Sequence, residues 1–132
     1  MKRILLGLAA AAMMIGSAWA VEPAKWSDTS LGKVLTDMSG MTLYIFDKDT
    51  KGATASACVD KCIAAWPPFI AAAGAMAEGD WTIVDVVDKD GNAVKMWAYE
   101  GWPLYYWIKD AKAGDTTGDG VGGVWHVVKE AM

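Results

Sequence analysis

Cys58 and Cys62 are the only two cysteines of the chain, and His126 is its only histidine. Their spacing, Cys-x-x-x-Cys, misses the Cys-x-x-Cys of thioredoxin-like redox pairs. It also misses the Cys-x-x-Cys-His of haem attachment, and residue 63 is Ile. On a helix, residues four apart share a face, so the two sulfurs could meet as a disulfide. Closing so short a loop contributes only about 2 kcal/mol in the chain-entropy picture, enough to staple a helix start. The competing chemistry is copper or redox handling, because thiolates suit Cu(I) and His126 could add a distant ligand. With one histidine, a single chain cannot build a multi-histidine metal site. A second candidate for cations is Asp115-Thr116-Thr117-Gly118-Asp119-Gly120, which resembles the front half of a calcium loop. The twelfth position of that loop is His126, where a bidentate Glu belongs, and aspartates bonding their own turn explain the same letters. No Gly-x-Ser-x-Gly elbow, His-Glu-x-x-His pair or phosphate loop occurs, so no catalytic set is expected. No cofactor is expected either, copper and calcium being the alternatives.

The thiol chemistry depends on compartment, which the first residues address. Lys2 and Arg3 precede an apolar run from Ile4 to Ile15, then the small-x-small triplet Ala18-Trp19-Ala20. This is the layout of a cleavable signal peptide over residues 1–20, with cleavage near Ala20. The run is too short for the ~20 residues of a membrane-spanning helix. No cysteine stands near the cleavage point, so no lipid anchor is expected. The expected product is a single domain over 21–132, periplasmic or secreted, where two cysteines would pair. Loss of Lys2 and Arg3 would move the net charge from −4 to about −6, with lysines scattered singly. Such a surface repels phosphate backbones, which argues against nucleic acid as a partner.

The elements that must position these groups come in two copies. Gly40-Met41-Thr42-Leu43-Tyr44-Ile45-Phe46-Asp47-Lys48-Asp49 aligns without gaps on Gly101-Trp102-Pro103-Leu104-Tyr105-Tyr106-Trp107-Ile108-Lys109-Asp110. Each copy then runs through a polar loop to a tryptophan, Trp66 or Trp125. The pattern predicts two related halves, about 31–70 and 81–128, of β-hairpin type. Residues 33–37 and 42–46 read as a hairpin closed at Met38-Ser39-Gly40, with Leu43 facing away from Tyr44 and Phe46. Residues 81–87 and 93–99 flank Asp88-Lys89-Asp90-Gly91-Asn92, a strong turn signal. Strands are also expected over 103–107 and 124–128. One helix is expected from Ala57 to Ala65, capped by Ser56 and stopped by Pro67-Pro68; residues 70–77 fit a short helix or a loop. The fold class is therefore mainly β (β-rich α+β), two pseudo-repeated hairpin units with one short helix.

The doubled Tyr-x-aromatic-x-x-Asp motif resembles a bacterial family of secreted repeats of unknown function, predicted lipoproteins. It is carried by Tyr44, Phe46 and Asp49 and again by Tyr105, Trp107 and Asp110. The resemblance extends to the Cys58-x-x-x-Cys62 segment ending in Trp66-Pro67-Pro68 and to the segment 114–128. It implies an extracytoplasmic repeat domain and supplies no activity. The expected function is a non-enzymatic module, binding or structural, for a ligand or protein partner that the sequence does not name. Copper or redox handling through Cys58, Cys62 and His126 is the alternative, with Asp115 and Asp119 as the calcium candidates. Tyr99, Trp102, Tyr106 and Trp107 also cluster in sequence. On an exposed sheet face such rings could stack on a sugar or grip a peptide, although alternation sends some of them inward.

Overall fold

The structure, a computed structural model, describes residues 22–130. The expected signal segment and its cleavage point lie outside those residues. Within them run β1 (Ala24–Thr29), β2 (Gly32–Asp37), β3 (Tyr44–Phe46), helix α1 (Lys61–Ala65), β4 (Trp81–Val87), β5 (Ala93–Tyr99), β6 (Trp102–Pro103) and β7 (Trp125–Val127). The protein is mainly β, and all of its strand ladders are antiparallel. No helix among the described residues is long and apolar enough to cross a membrane.

The hairpin of β4 and β5 has the boundaries its sequence predicts, with Trp81 opposite Tyr99 and Val87 opposite Ala93. Its turn is held by one side chain: Asp88 Oδ1 accepts the N–H groups of Asp90 and Asn92, both at 2.9 Å. Gly91 takes the positive φ of 86° that this turn requires. The first unit holds the equivalent hairpin, and here the structure departs from expectation. Residues 32–37 pair along their length with β1, Trp26 lying opposite Leu35. The predicted partner, 42–46, divides its bonds. Leu43 N–H donates to the Leu35 carbonyl (3.0 Å), after which β3 pairs with β7, more than seventy residues away. The predicted strand 103–107 is likewise split, into β6 beside β5 and single bridges from Tyr105 to Tyr44 and Pro68.

Equivalent residues pair reciprocally. The N–H groups of Tyr44 and Tyr105 each donate to the other's carbonyl, at 2.8 and 2.9 Å. Asp47 N–H of the first half donates to Val124 O of the second, and Ile108 N–H of the second donates to Ala65 O of the first. Leu35 N–H reaches Val128 O as Trp97 N–H reaches Phe69 O, both at 2.9 Å. An antiparallel bridge between equivalent residues has a local twofold at its centre, so the duplicated unit is folded about an approximate twofold at Tyr44 and Tyr105.

The core follows that axis. Trp66 and Trp125 stack face to face at 3.7 Å and 3°. Phe46 stacks on the outer face of Trp125 (4.3 Å) and Trp107 on that of Trp66 (4.0 Å). Tyr44 and Tyr105 meet Trp66 and Trp125 edge-on, at 5.4 and 5.2 Å. Each such pair adds about 0.5–1.5 kcal/mol beyond its buried area. A second cluster, with Leu35, Leu43, Phe69, Trp81 and Leu104 buried in it, lies on the other face of the motif strands. Leu43 therefore does face away from Tyr44 and Phe46.

The helix is shorter than its composition predicts. Residues 57–65 contain neither glycine nor proline and end in two alanines, yet the chain turns helical only at Lys61, entered through Asp60 at φ 56°. Residues 56–58 are engaged elsewhere: Ala57 N–H donates to Asp49 (2.7 Å) and Cys58 N–H to Ser56 Oγ (3.0 Å). Ser56 is thus no helix cap. Residues 70–77 are not helical; Ile70 bridges to Met96 and a turn follows.

Gly118 sits where the stack admits no side chain. A Cβ there would lie 2.9 Å from the rings of Trp66 and Tyr44 and 3.0 Å from that of Trp107. The rings hold one another in place, so none can yield cheaply. Gly118→Ala is expected to lower stability by about 1–3 kcal/mol, read as a reduced urea midpoint at unchanged slope.

Candidate functional site

The six repeat-motif residues converge, and they do so across the halves. Tyr44 OH donates to Asp110 Oδ2 at 2.6 Å, and Tyr105 OH donates to Asp49 Oδ2 at 2.7 Å. Each tyrosine serves the aspartate of the other copy. Both aspartates are buried, at 5% and 8% exposure, and each uses its second oxygen on a loop. Asp49 Oδ1 accepts Ala57 N–H, while Asp110 Oδ1 accepts the N–H and hydroxyl of Thr117 (2.9 and 2.6 Å). The phenol oxygens are shared in turn, Tyr44 accepting Gly118 N–H and Tyr105 lying 2.6 Å from Ser56 Oγ. Burial lifts both phenols well above the ordinary tyrosine range, Tyr44 with help from its bond to Asp110. Burial also raises the Asp49 carboxyl, against the pull of Ala57 N–H and Tyr105 OH. All of these oxygens are matched by a donor or acceptor of the protein.

Cys58 and Cys62 form a disulfide, with Cα atoms 5.2 Å apart and Cys58 fully buried. It bridges the bend ahead of α1 to the helix itself. A thiolate metal site here would require reduction of that bond first. His126 points away from buried Trp125, as strand alternation predicts. Its Nε2 lies 2.7 Å from Asp47 Oδ2 in a partly exposed pair. Asp115 accepts Ala111 N–H, Lys112 N–H and Lys112 Nζ, and these bonds hold its carboxyl below the usual range. Asp119 Oδ1 accepts Val127 N–H. Among the described residues no three His, Cys, Asp or Glu side chains group as a metal site.

A cavity with aromatic walls lies elsewhere among the described residues. An open cleft of about 350 Å³ lies between the start of the first hairpin and the hairpin of β4 and β5. Trp26, Trp81, Trp97 and Tyr99 line it, with Glu22, Glu78 and Asp80 among its polar groups. The rings brace one another: Trp81 touches Tyr99 at 4.9 Å and Trp97 at 6.0 Å, and Tyr99 meets Trp26 edge-on at 5.9 Å. Trp81 is buried, whereas Trp26, Trp97 and Tyr99 keep part of their faces open. Of the aromatic residues clustered at 99–107, Tyr99 alone lines this cleft. Tyr106 donates to Asp37 (2.7 Å), Trp107 belongs to the stack, and Trp102 pairs in β6.

Sequence reasoning passed over Trp26, Trp81 and Trp97. A signal was present in β5. Met96 and Ala98 occupy one face, which leaves Trp97 and Tyr99 together on the other, opposite Ile83 and Trp81. Two rings at alternate positions on the face that does not enter the central core are excess apolar area at a surface.

A family model described as a secreted repeat of unknown function matches the chain twice, over residues 25–70 and 86–129. Comparison with curated proteins and with solved structures returned no match.

The crossed bonds make two predictions. Tyr44→Phe and Tyr105→Phe each strand a buried carboxylate oxygen and should each cost about 1.5–3 kcal/mol in chemical denaturation. In a double-mutant cycle Tyr105→Phe should couple to Asp49→Asn and be additive with Asp110→Asn. The second concerns alkali. Because the folded phenols ionise later than free tyrosine, their contribution is complete below about pH 10 and is lost as pH rises beyond it. Phenolate absorbance from Tyr44 and Tyr105 should therefore appear together with loss of far-ultraviolet strand signal; ionisation with the fold intact would contradict the burial described.

Proposed function

The chain belongs to the family of secreted repeats of unknown function, and from that premise we propose that it is a non-enzymatic extracytoplasmic binding module whose ligand surface is the aromatic cleft. The reading extends to a periplasmic or secreted location after cleavage near Ala20. One observation carries it: Trp26, Trp97 and Tyr99 keep open ring faces around a cavity of about 350 Å³, the small end of the range for ligand sites. The rings of Tyr44, Trp66, Tyr105, Trp107 and Trp125, by contrast, are engaged in the stack between the two halves. The architecture supports the role, since a cleft between two hairpins braced by a common core is fixed before any ligand arrives, which lowers the ordering cost of binding.

The absence of turnover is supported by where the reactive groups stand. The sulfurs are bonded to each other, His126 is paired with Asp47 away from the cleft, and the buried tyrosines and aspartates are matched within the core.

The test is an amide and indole chemical-shift titration against a panel of small amines, sugars and short peptides. The indole N–H signals of Trp26, Trp81 and Trp97 should move with a binding member of the panel, while those of Trp66 and Trp125 stay. Trp26→Ala should abolish the response. Shifts confined to the His126–Asp47 region, or none with any member, would remove the cleft from consideration.

A further inference from the structure

The cleft has a sign as well as a shape. Its polar side chains are Glu22, Glu78 and Asp80, and neither lysine nor arginine lines it. None of these three carboxylates takes part in the ion pairs found among the described residues, which engage Asp28, Asp47, Asp85, Asp90 and Asp115. Tyr99, on the cleft wall, registers the resulting field. Its hydroxyl is held above the ordinary range first by burial and then by the charges of Glu100, Asp80, Glu22 and Glu130. Two of those carboxylates, Asp80 and Glu22, line the cleft itself.

Resting on the binding reading above, we propose that the cleft recognises an alkylammonium group, the head of a free amine or quaternary ammonium ligand or the end of a lysine side chain. Tryptophan and tyrosine faces attract such a cation through their quadrupoles, and its alkyl shell fits an apolar wall. The carboxylates supply the long-range attraction and the net charge that the ligand neutralises. A bare metal ion fits less well, because among the described residues these three carboxylates do not converge as a metal site. An anion would be repelled. A neutral sugar would desolvate three carboxylates without offering them a counter-charge. The aromatic rings and the acidic rim therefore select the same chemistry by two independent routes.

The experiment compares choline with 3,3-dimethylbutanol, its neutral isostere, by tryptophan fluorescence and calorimetry on the whole exported protein. Choline should bind at least roughly tenfold more tightly than the isostere, and added salt should weaken choline alone. Glu78→Gln combined with Asp80→Asn should reduce choline affinity by roughly tenfold and leave the isostere unchanged; both side chains are exposed, so the unfolding midpoint should hold. A parallel arm with Nα-acetyl-lysine methylamide separates the two sources: tighter binding than choline assigns the site to lysine side chains, weaker binding to free amines. Equal binding of choline and isostere, or an unchanged affinity in the double variant, would overturn the cation inference while leaving the cleft a binding site. No response to either probe at Trp26 or Trp97 would likewise overturn the cation inference, and the binding reading falls with it only if the sugars and peptides of the wider panel are also silent.

Discussion

A phenol buried in a protein core must give its proton to an acceptor, and a buried carboxylate must receive one from a donor. In this chain the two requirements meet each other across a duplication. Tyr44 bonds Asp110 of the other copy, while Tyr105 bonds Asp49. Neither copy is satisfied without the other. Once those bonds form, the remaining geometry has little freedom. The tyrosine backbones are brought into register, and the two loop tryptophans come face to face. The outer ring of each half, Phe46 or Trp107, then closes the column on the far side.

The same acceptors are supplied with donors by different means in the two halves. Asp49 receives the N–H of Ala57, in a segment fastened at the very next residue by the Cys58–Cys62 bond. Asp110 receives both the N–H and the hydroxyl of Thr117, in a glycine-rich segment with no covalent fastening. A side-chain hydrogen bond and closely fitted Gly118 stand in one loop where a disulfide stands in the other. The disulfide is in this sense a local device belonging to one copy. That explains why the letters around the cysteines look like a redox or metal motif and yet lead into the architecture. The calcium-like run 115–120 has a parallel explanation, since Asp115 and Asp119 tie their own loop to its neighbours.

Much of this was legible in the residues. The hairpin over 81–99 is plain because Asp88 and Gly91 are turn residues with one purpose and the flanking strands are long. The duplication is plain because five of ten aligned positions are identical and Phe46 is matched by Trp107. Three things were hidden, each for a physical reason. The strand at 24–29 carries a single large apolar residue, Trp26, so its pattern is too thin to separate from loop. The helix was over-extended because propensity is local, whereas Asp49 captures Ala57 from eight residues upstream. The crossing of the motifs was invisible because alignment reveals that two segments are alike and says nothing of which partner each will choose. The cleft suffered from a related blindness: the aromatic residues adjacent in sequence at 99–107 disperse, and the wall of the cavity is assembled from 26, 81, 97 and 99.

The crossed pairing also bears on how such a unit can exist at all. A polypeptide bearing one copy would present an unserved phenol, an unserved carboxylate and a bare indole face, all complementary to an identical molecule. It could become whole only as a homodimer. Joining two copies end to end turns that bimolecular encounter into ring closure at a fixed, high effective concentration, so the chain is physically a dimer whose dissociation has been forbidden by a linker.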